Sequence, residues 1–169
     1  LINDVNALQE PGAVDVVAAS DCAVCVMHMQ GAPRTMQDNP QYRDVVGEVE
    51  TYLRTRQQVL LDAGVARGRI LLDPGFGFGK SLAHNVELFK ELERLAKSGP
   101  VLVGVCRKRM IGEISGCPLE DRTVPSVVAA VAAGVRGAAI LRVHDVAATC
   151  AGLRIWDALG PGGLKGIAE

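Results

Sequence analysis

The segment 71–85, LLDPGFGFGKSLAHN, places one carboxylate, Asp73, between an apolar run and a loop of alternating glycines that ends in Gly-Lys-Ser. A carboxylate there can accept two parallel hydrogen bonds from a ligand, whereas a glycine loop ending in Gly-Lys-Ser is typical of phosphate binding. A P-loop needs a glycine five residues before Gly79, and that position is Pro74, which has no N–H group to donate. The spacing therefore favours a flexible loop that follows Asp73 at the end of a strand.

Other polar side chains follow four further apolar runs of the chain. Arg142 and His144 are two residues apart, so on a strand they face the same way. A guanidinium group can stack on a flat heterocycle while its edge meets a phosphate, and a nearby histidine can donate to the same phosphate. The residues at these four ends are Asn3, Asp4, His28, Arg107, Lys108, Arg142 and His144.

Short apolar runs alternate with stretches of helical spacing, which predicts βαβ units and a parallel sheet. The runs are Leu1-Ile2, Ala23 to Met27, Ile70 to Leu72, Val101 to Val105 and Ala138 to Leu141. Because they are almost continuously apolar, we expect both faces of the sheet to be covered. The helical stretches are 42–61, 84–99, 124–137 and 146–159, the last with a stop signal at Gly160-Pro161.

In a (β/α)8 TIM barrel the chemistry is done at the carboxyl ends of the strands, where these polar side chains fall. Five strands cannot close an eight-stranded barrel. The sequence therefore predicts an α/β fold in which residues 1–169 form a partial barrel domain, with three upstream strands missing. An open sheet of this kind would expose the edge of its first strand.

Composition limits the functional class. The chain has 169 residues, 49% of them hydrophobic and 22% charged, and a formal net charge of −1, which gives no electrostatic case for nucleic-acid binding. No apolar run approaches the roughly 20 residues needed to span a bilayer, and the start lacks the basic region of a signal peptide. Five scattered cysteines, including Cys22 and Cys25, predict buried, reduced thiols in a cytoplasmic protein.

Five phrases together carry a family resemblance. LINDV (1–5), MHMQGAPRTMQDNPQY (27–42), LLDPGFGFGKSLAHN (71–85), LVGVCRKRMIG (102–112) and LRVHDV (141–146) occur in this order. In types, order and spacing they resemble dihydropteroate synthase, over essentially the whole chain and from the fourth barrel strand to the last helix.

The resemblance implies a transferase of folate biosynthesis. Such an enzyme joins 4-aminobenzoate to the methylene group of 6-hydroxymethyl-7,8-dihydropterin diphosphate, releasing diphosphate and 7,8-dihydropteroate with help from Mg²⁺. Sulfonamides compete for the aminobenzoate site. The resemblance also implies a homodimer, formed through the last helices when the protein is full length.

Site roles follow from the matching positions. For the pterin, the resemblance implies that Asp73 accepts two hydrogen bonds and that the other contacts come from Asn3, Met29, Phe78, Lys108 and Arg142. Arg142 and His144 would bind diphosphate, so the expected catalytic residues are Lys108, Arg142 and His144. Phe76 is predicted to be a core aromatic, and His28, His84 and Arg107 to be structural.

The chain departs from the family pattern Ser-Arg-Lys-Ser at two positions, Cys106 and Arg109. Arg109 replaces the serine associated with the aminobenzoate carboxylate, so it is a candidate for binding that group alongside Lys108, unless it turns to solvent. No metal ligand is expected in this chain, because the loops that would help hold Mg²⁺ lie upstream in the family. We therefore expect residues 1–169 alone to bind pterin with little or no turnover.

Two alternatives to this interpretation stay open. A pterin-binding methyltransferase domain would share the barrel but should lack the paired CRKR and RVHDV phrases. A natural half-barrel without catalytic activity would bind a pterin or a partner chain through its open edge.

Overall fold

The structure, a computed structural model, describes residues 1–160. Strands and α-helices alternate along most of the described chain. In order they are β1 (Ile2–Asp4), α1 (Ala13–Ala18), β2 (Val24–Met27), α2 (Val45–Asp62), β3 (Ile70–Asp73), α3 (Leu82–Lys90), α4 (Leu92–Ala96), β4 (Val101–Val103), α5 (Arg109–Ser115), α6 (Thr123–Val135), β5 (Ala138–Leu141) and α7 (Val146–Leu159).

The five strands form one parallel sheet in the order β1-β2-β3-β4-β5. Sequential neighbours pair throughout, so the sheet has no point at which the strand order reverses, as a doubly wound sheet would. The sheet is curled, which brings the two edge strands close enough for Arg142, after β5, to donate a hydrogen bond to Asn3 on β1. This arrangement is that of consecutive βα units of a (β/α)8 barrel, as the sequence predicts.

The core lies under the three central strands. Every residue of β2, β3 and β4 is buried, and the largest enclosed side chains include Phe76, Leu72 and Leu53. The edge strands differ, since Ile2 on β1 is 49% exposed and Ile140 on β5 is 37% exposed. The expectation that both sheet faces are covered is therefore correct for the central strands and wrong for the edge strands, each of which pairs with only one strand among residues 1–160.

The helices match the predicted stretches with two differences. The stretch 84–99 is not one helix, since α3 and α4 meet at Glu91, whose backbone leaves the helical conformation. Two short helices, α1 and α5, were not predicted, because each is too brief to show an apolar period. The last helix spans the predicted residues and ends at Gly160, while Pro161 of the stop signal lies outside the described residues.

All five cysteines have free thiols, as predicted, but not all are buried. Cys25 and Cys106 are enclosed, Cys22 and Cys117 are half-buried, and Cys150 is exposed on α7. The prediction of uniform burial is wrong for Cys22 and Cys117, which lie in connecting segments, and for Cys150, which lies on the exposed surface of α7. Within residues 1–160, no helix combines the length and apolar character needed to cross a membrane.

Candidate active site

Asp73 lies at the carboxyl end of β3 and is 1% exposed. Its Oδ1 accepts the Gly75 N–H at 2.8 Å, and its Oδ2 accepts from Nη2 of Arg142 at 3.4 Å. Burial raises the pKa of Asp73, while the Gly75 N–H and three nearby cations act in the opposite direction. A carboxylate has about four acceptor positions, so each oxygen retains capacity for a hydrogen bond from a ligand.

The Arg142 side chain, after β5, connects Asn3 on β1 with Asp73 on β3. Its guanidinium also donates to Oδ1 of Asn3 across the curled sheet. A Cβ at Gly104 would lie 2.8 Å from the Arg142 Nη2, so the glycine provides the space in which the guanidinium crosses. The Nδ2 of Asn3 is buried and has no hydrogen-bond partner among the described residues. A buried donor of this kind is costly unless a ligand acceptor meets it.

The glycine loop, residues 75–79, is firmly held and does not match the flexible loop that the sequence predicts. Three of its five N–H groups have partners within the protein: that of Gly75 donates to Asp73, that of Gly77 to Asn85 and that of Phe78 to the Gly75 carbonyl. Each of its five carbonyls accepts from a side chain: Gly75 and Phe78 from Lys80 at 3.0 and 3.1 Å, Phe76 from Lys108, Gly77 from Gln37, and Gly79 from Tyr42 at 2.8 Å.

With three of five N–H groups already engaged, this bonding pattern disfavours a phosphate cradle, which needs free N–H groups. Glycine is required at position 75 for a different reason. Its φ is +69°, and a Cβ there would lie 1.8 Å from the carbonyl oxygen of His28. Gly75 therefore lets the loop pass directly against the end of β2.

Lys108 contacts the glycine loop at Phe76 and Phe78. Its Nζ donates to the Phe76 carbonyl and lies 4.8 Å from the centre of the Phe78 ring. Burial lowers the pKa of Lys108 to about 8, although the charge of Asp73 acts in the opposite direction. An aromatic ring and a cation at this distance attract each other, so Phe78 and Lys108 form one surface beside Asp73.

Arg107 has the structural role that the sequence predicts. Its backbone has a left-handed φ of +57°, and its N–H donates to the Ser126 Oγ at 2.9 Å. Its guanidinium makes two hydrogen bonds to Asp145, at 3.1 and 2.7 Å. Arg107 thus joins the end of β4 to the start of α7.

A cavity of about 710 Å³ lies between the glycine loop and α5. Phe78, Leu82 and Met110 form apolar walls, and Lys108 and Arg109 supply positive charge. The Arg109 side chain is 86% exposed and pairs with Glu113 at 2.6 Å. The structure therefore shows Arg109 turned toward solvent, bonded within its own helix.

The structure brings four of the other predicted site residues together around Asp73: Asn3, Phe78, Lys108 and Arg142. Met29 is half-exposed just beyond β2, whereas Met27 and Phe76 are buried in the core. His144 is exposed, and its backbone N–H donates to the Cys106 Sγ at 3.4 Å. Its role in diphosphate binding stays a prediction.

Sequence reasoning missed Lys80 as part of this site. Lys80 is 3% exposed, and its Nζ lies 2.9 Å from Nδ1 of His28. The signal was present, because a single lysine directly follows a loop of glycine and phenylalanine only. Gln37 and Tyr42 gave no such signal, since they lie 40 and 37 residues from their partners in the loop. His28 and His84 make structural hydrogen bonds, as predicted.

The described residues do not offer a ligand set for Mg²⁺. In the part of the chain that the structure describes, no group of three or more His, Cys, Asp or Glu side chains is placed to hold a metal ion.

Comparison with known proteins gives a consistent result. The family described as pterin binding enzyme matches residues 1–144. A dihydropteroate synthase of Neisseria meningitidis serogroup B is 52% identical over 166 residues, covering 95% of this chain and 58% of the relative. The Escherichia coli enzyme is 44% identical over 159 residues, with 94% and 56% coverage.

Solved structures agree with this result. The Yersinia pestis dihydropteroate synthase with a sulfonamide drug superimposes with a TM-score of 0.88 at 44% identity, covering 93% of this chain and 57% of that one. The Xanthomonas albilineans enzyme with 7,8-dihydropteroate gives 0.86 at 48% identity, with 94% and 58% coverage. These comparisons confirm the resemblance and the barrel fold. The chain spans a little under three-fifths of the length of these relatives.

Proposed function

The chain belongs to the family of pterin-binding enzymes, and we propose that it forms the pterin-binding part of a dihydropteroate synthase. In the proposed reaction the amine nitrogen of 4-aminobenzoate attacks the methylene carbon of 6-hydroxymethyl-7,8-dihydropterin diphosphate. The bond from that carbon to the diphosphate oxygen breaks, diphosphate leaves with the electron pair, and the amine loses a proton. Residues 1–169 are proposed to be one partial barrel domain that the rest of the protein completes.

The pterin is proposed to bind at Asp73. Its amidine edge presents an N–H and an NH₂ side by side, and a carboxylate accepts such a pair in parallel. The unpartnered Nδ2 of Asn3 supplies a donor to the heterocycle. Phe78 and Lys108 are proposed to form one wall of this pocket, and Met29, half-exposed just beyond β2, is proposed to contact the ring. The dihydropterin is electron-rich and shares the positive charge that develops on the methylene.

The cavity beside Phe78 fits 4-aminobenzoate, which is a flat ring with one carboxylate. Its apolar walls match the ring, and Lys108 and Arg109 offer positive charge to the carboxylate. To bind that carboxylate, Arg109 must give up its ion pair with Glu113. An exposed ion pair of this kind costs little free energy to open.

Diphosphate departure is assigned to Arg142 and His144, which follow the open edge strand β5. The Arg142 side chain is 45% exposed, so it can contact Asp73 and still present N–H groups to a phosphate. The protein's contribution is positioning and charge stabilisation of the leaving group. The Mg²⁺ requirement is part of the proposal, and diphosphate binding measured with and without added Mg²⁺ by this chain and by the full-length protein would test it.

A homodimer of the full-length protein is also proposed. Val128 on α6 and Ile155 on α7 are each 62% exposed, and Leu159 is 80% exposed. Such a set of exposed apolar side chains on two adjoining helices is typical of an interface. Sedimentation of the full-length protein with Ile155→Glu should give a monomer where the wild type gives a dimer.

One observation carries the proposed function: a buried carboxylate at a strand end, with acceptor capacity left, faced by cations from two other strands. Calorimetric titration with 6-hydroxymethyl-7,8-dihydropterin diphosphate tests it. Asp73→Asn should weaken binding roughly 100-fold, because two charge-assisted hydrogen bonds lose their anionic acceptor.

Asp21→Asn is the matched control, since Asp21 is exposed and lies before β2, away from the pocket. Equal affinity of the wild type and Asp73→Asn would contradict the assignment of Asp73. If this chain binds the pterin without turnover and the full-length protein also turns it over, residues 1–169 supply pterin binding and the rest of the protein is needed for the reaction, as proposed. The alternative of a half-barrel without catalytic activity predicts binding and no turnover in either.

A further inference from the structure

Lys80 is a buried cation that the proposed reaction does not use. Its Nζ has three acceptors within hydrogen-bond distance: Nδ1 of His28 at 2.9 Å, the Gly75 carbonyl at 3.0 Å and the Phe78 carbonyl at 3.1 Å. An ammonium group has three N–H donors, so these partners satisfy it completely. Burial lowers the pKa of His28 to about 3, so its imidazole is neutral, and in the tautomer with the proton on Nε2 its Nδ1 accepts from the ammonium group.

We infer that Lys80 is a positioning residue for pterin binding: it ties the two ends of the glycine loop to His28, so that Asp73 and Phe78 are held in the geometry that the pterin needs. This inference rests on the proposed function. It adds a residue that touches neither the pterin nor the diphosphate and acts through the loop that does.

The connection from Lys80 to the ligand-facing groups is short. Lys80 bonds the carbonyl of Gly75, and the N–H of the same residue bonds Oδ1 of Asp73 at 2.8 Å. The second carbonyl belongs to Phe78, the residue whose ring lies beside the Lys108 Nζ. Each bond made by Lys80 to the loop therefore fixes the backbone of a residue next to the pocket.

The charge of Lys80 adds a second effect. Within residues 1–160, no carboxylate lies within 4.0 Å of its Nζ, and burial lowers the pKa of Lys80 to about 7. A side chain required only for packing would not need that charge. Below about pH 7, where Lys80 is protonated, its charge acts on Asp73 and favours the ionised carboxylate that accepts hydrogen bonds.

The other groups that face Asp73 are accounted for. Arg142 approaches from the end of β5 and Lys108 from beyond β4, and both favour the carboxylate as Lys80 does. Burial raises the pKa of the Cys25 thiol on β2 to about 12, so this neighbour is neutral. Removing Lys80 therefore takes away one of three cations and leaves the other two in place.

The test compares Lys80→Met, which removes both the hydrogen bonds and the charge, with Lys80→Gln, which removes the charge and keeps two N–H donors. Lys90→Met, an exposed lysine at the end of α3, is the matched control. Calorimetry with 6-hydroxymethyl-7,8-dihydropterin diphosphate should show Lys80→Met binding about 10- to 100-fold more weakly, the range for residues that hold a ligand-contacting group in place. Lys80→Gln should recover part of that loss, and Lys90→Met should match the wild type.

A second readout separates positioning from a role in folding alone. The carboxyl ¹³C signal of Asp73, followed against pH without ligand, should titrate at higher pH in both Lys80 variants than in the wild type. Weaker binding with an unmoved Asp73 titration would overturn the electrostatic part, and unchanged binding by Lys80→Met would overturn the whole inference. If both Lys80 variants fail to fold, Lys80 is a residue of the fold and the inference is wrong. Loss of binding in Asp73→Asn, measured alongside, shows that the proposed function holds independently of Lys80.

Discussion

Two regions of the site are built in different ways. The floor, formed by His28, Asp73 and Lys80 at the ends of β2 and β3, is 6%, 1% and 3% exposed. The rim, formed by Asn3 and Arg142 at the ends of β1 and β5, borders an open cavity of about 420 Å³. Floor residues are fixed by backbone groups, whereas rim residues meet each other and Asp73 through side chains.

The difference assigns different tasks to the two regions. A group held by a buried backbone cannot readjust, which suits recognition of a flat, rigid heterocycle. The rim reaches the floor through a single 3.4 Å contact from the half-exposed Arg142 to Asp73, so its side chains can change partners when a charged group arrives. Floor substitutions should therefore have large effects on the fold, and rim substitutions small ones.

The largest expected effect is on the core beneath the floor. Leu72→Ala removes a side chain that is 1% exposed in β3 and should lower the free energy of unfolding by about 2–5 kcal/mol. Ile140 lies on the edge strand β5 and is 37% exposed, so Ile140→Ala should lower the free energy of unfolding by less than about 1 kcal/mol. Urea unfolding of both variants measures the difference, and equal losses would mean that the edges are packed as firmly as the centre.

The second effect is a pH dependence that comes from the floor. Folding lowers the pKa of Lys80 from 10.5 to about 7, so between these values the unfolded chain binds one more proton than the folded chain. The free energy of unfolding of the wild type should therefore rise with pH across that window, relative to Lys80→Met, by at most about 1.4 kcal/mol per pH unit.

Below pH 7 the difference between these two proteins should be constant, because Lys80 is then protonated in both states. Lys108, whose pKa is lowered to about 8, is present in both proteins, so the larger part of its contribution cancels. Urea midpoints measured from about pH 6 to about pH 10 cover most of the window between the folded and unfolded pKa values of Lys80. A difference that stays flat over the whole range would show that Lys80 titrates as it does in solvent.

A smaller effect is expected where the end of β4 is joined to the start of α7, outside the floor and the rim. Arg107 and Asp145 are 38% and 23% exposed, so their ion pair should contribute about 1 kcal/mol to the free energy of unfolding. Arg107→Gln, Asp145→Asn and the double variant form a cycle that isolates this coupling. Additive losses would mean that the link at the start of α7 is carried by the backbone contacts of Arg107 instead.

The smallest effect should come from Arg109, whose side chain is 86% exposed. Arg109→Ala removes an ion pair within one helix and should change the free energy of unfolding by less than about 0.5 kcal/mol. Pterin affinity should be unchanged, while 4-aminobenzoate affinity should fall. Thermal unfolding and two titrations decide this, and Glu113→Gln is the paired control that frees Arg109 without removing it.

Much of this organisation could be predicted from the residues. The five strands, the parallel order and the position of Asp73 at a strand end follow from apolar runs that alternate with helical spacing. The family phrases then gave Asn3, Lys108 and Arg142 their places around Asp73. The errors concern covering and mobility: the edges are exposed, Cys150 is in solvent, and the glycine loop is held at every carbonyl.

Sequence alone determined the periodic features of this protein, because strand and helix spacing and Gly75 at a left-handed turn are local properties. The tertiary structure decided which partners meet: Lys80 with His28 across 52 residues, Gln37 with the loop across 40, and Arg142 with Asn3 across 139. Such pairings depend on how the sheet curls and on which strands lie at its edges, and the spacing of residues along the sequence predicts neither. For that reason the sequence left Lys80 without a role once the P-loop was rejected, and only the folded chain shows it as part of the floor of the site.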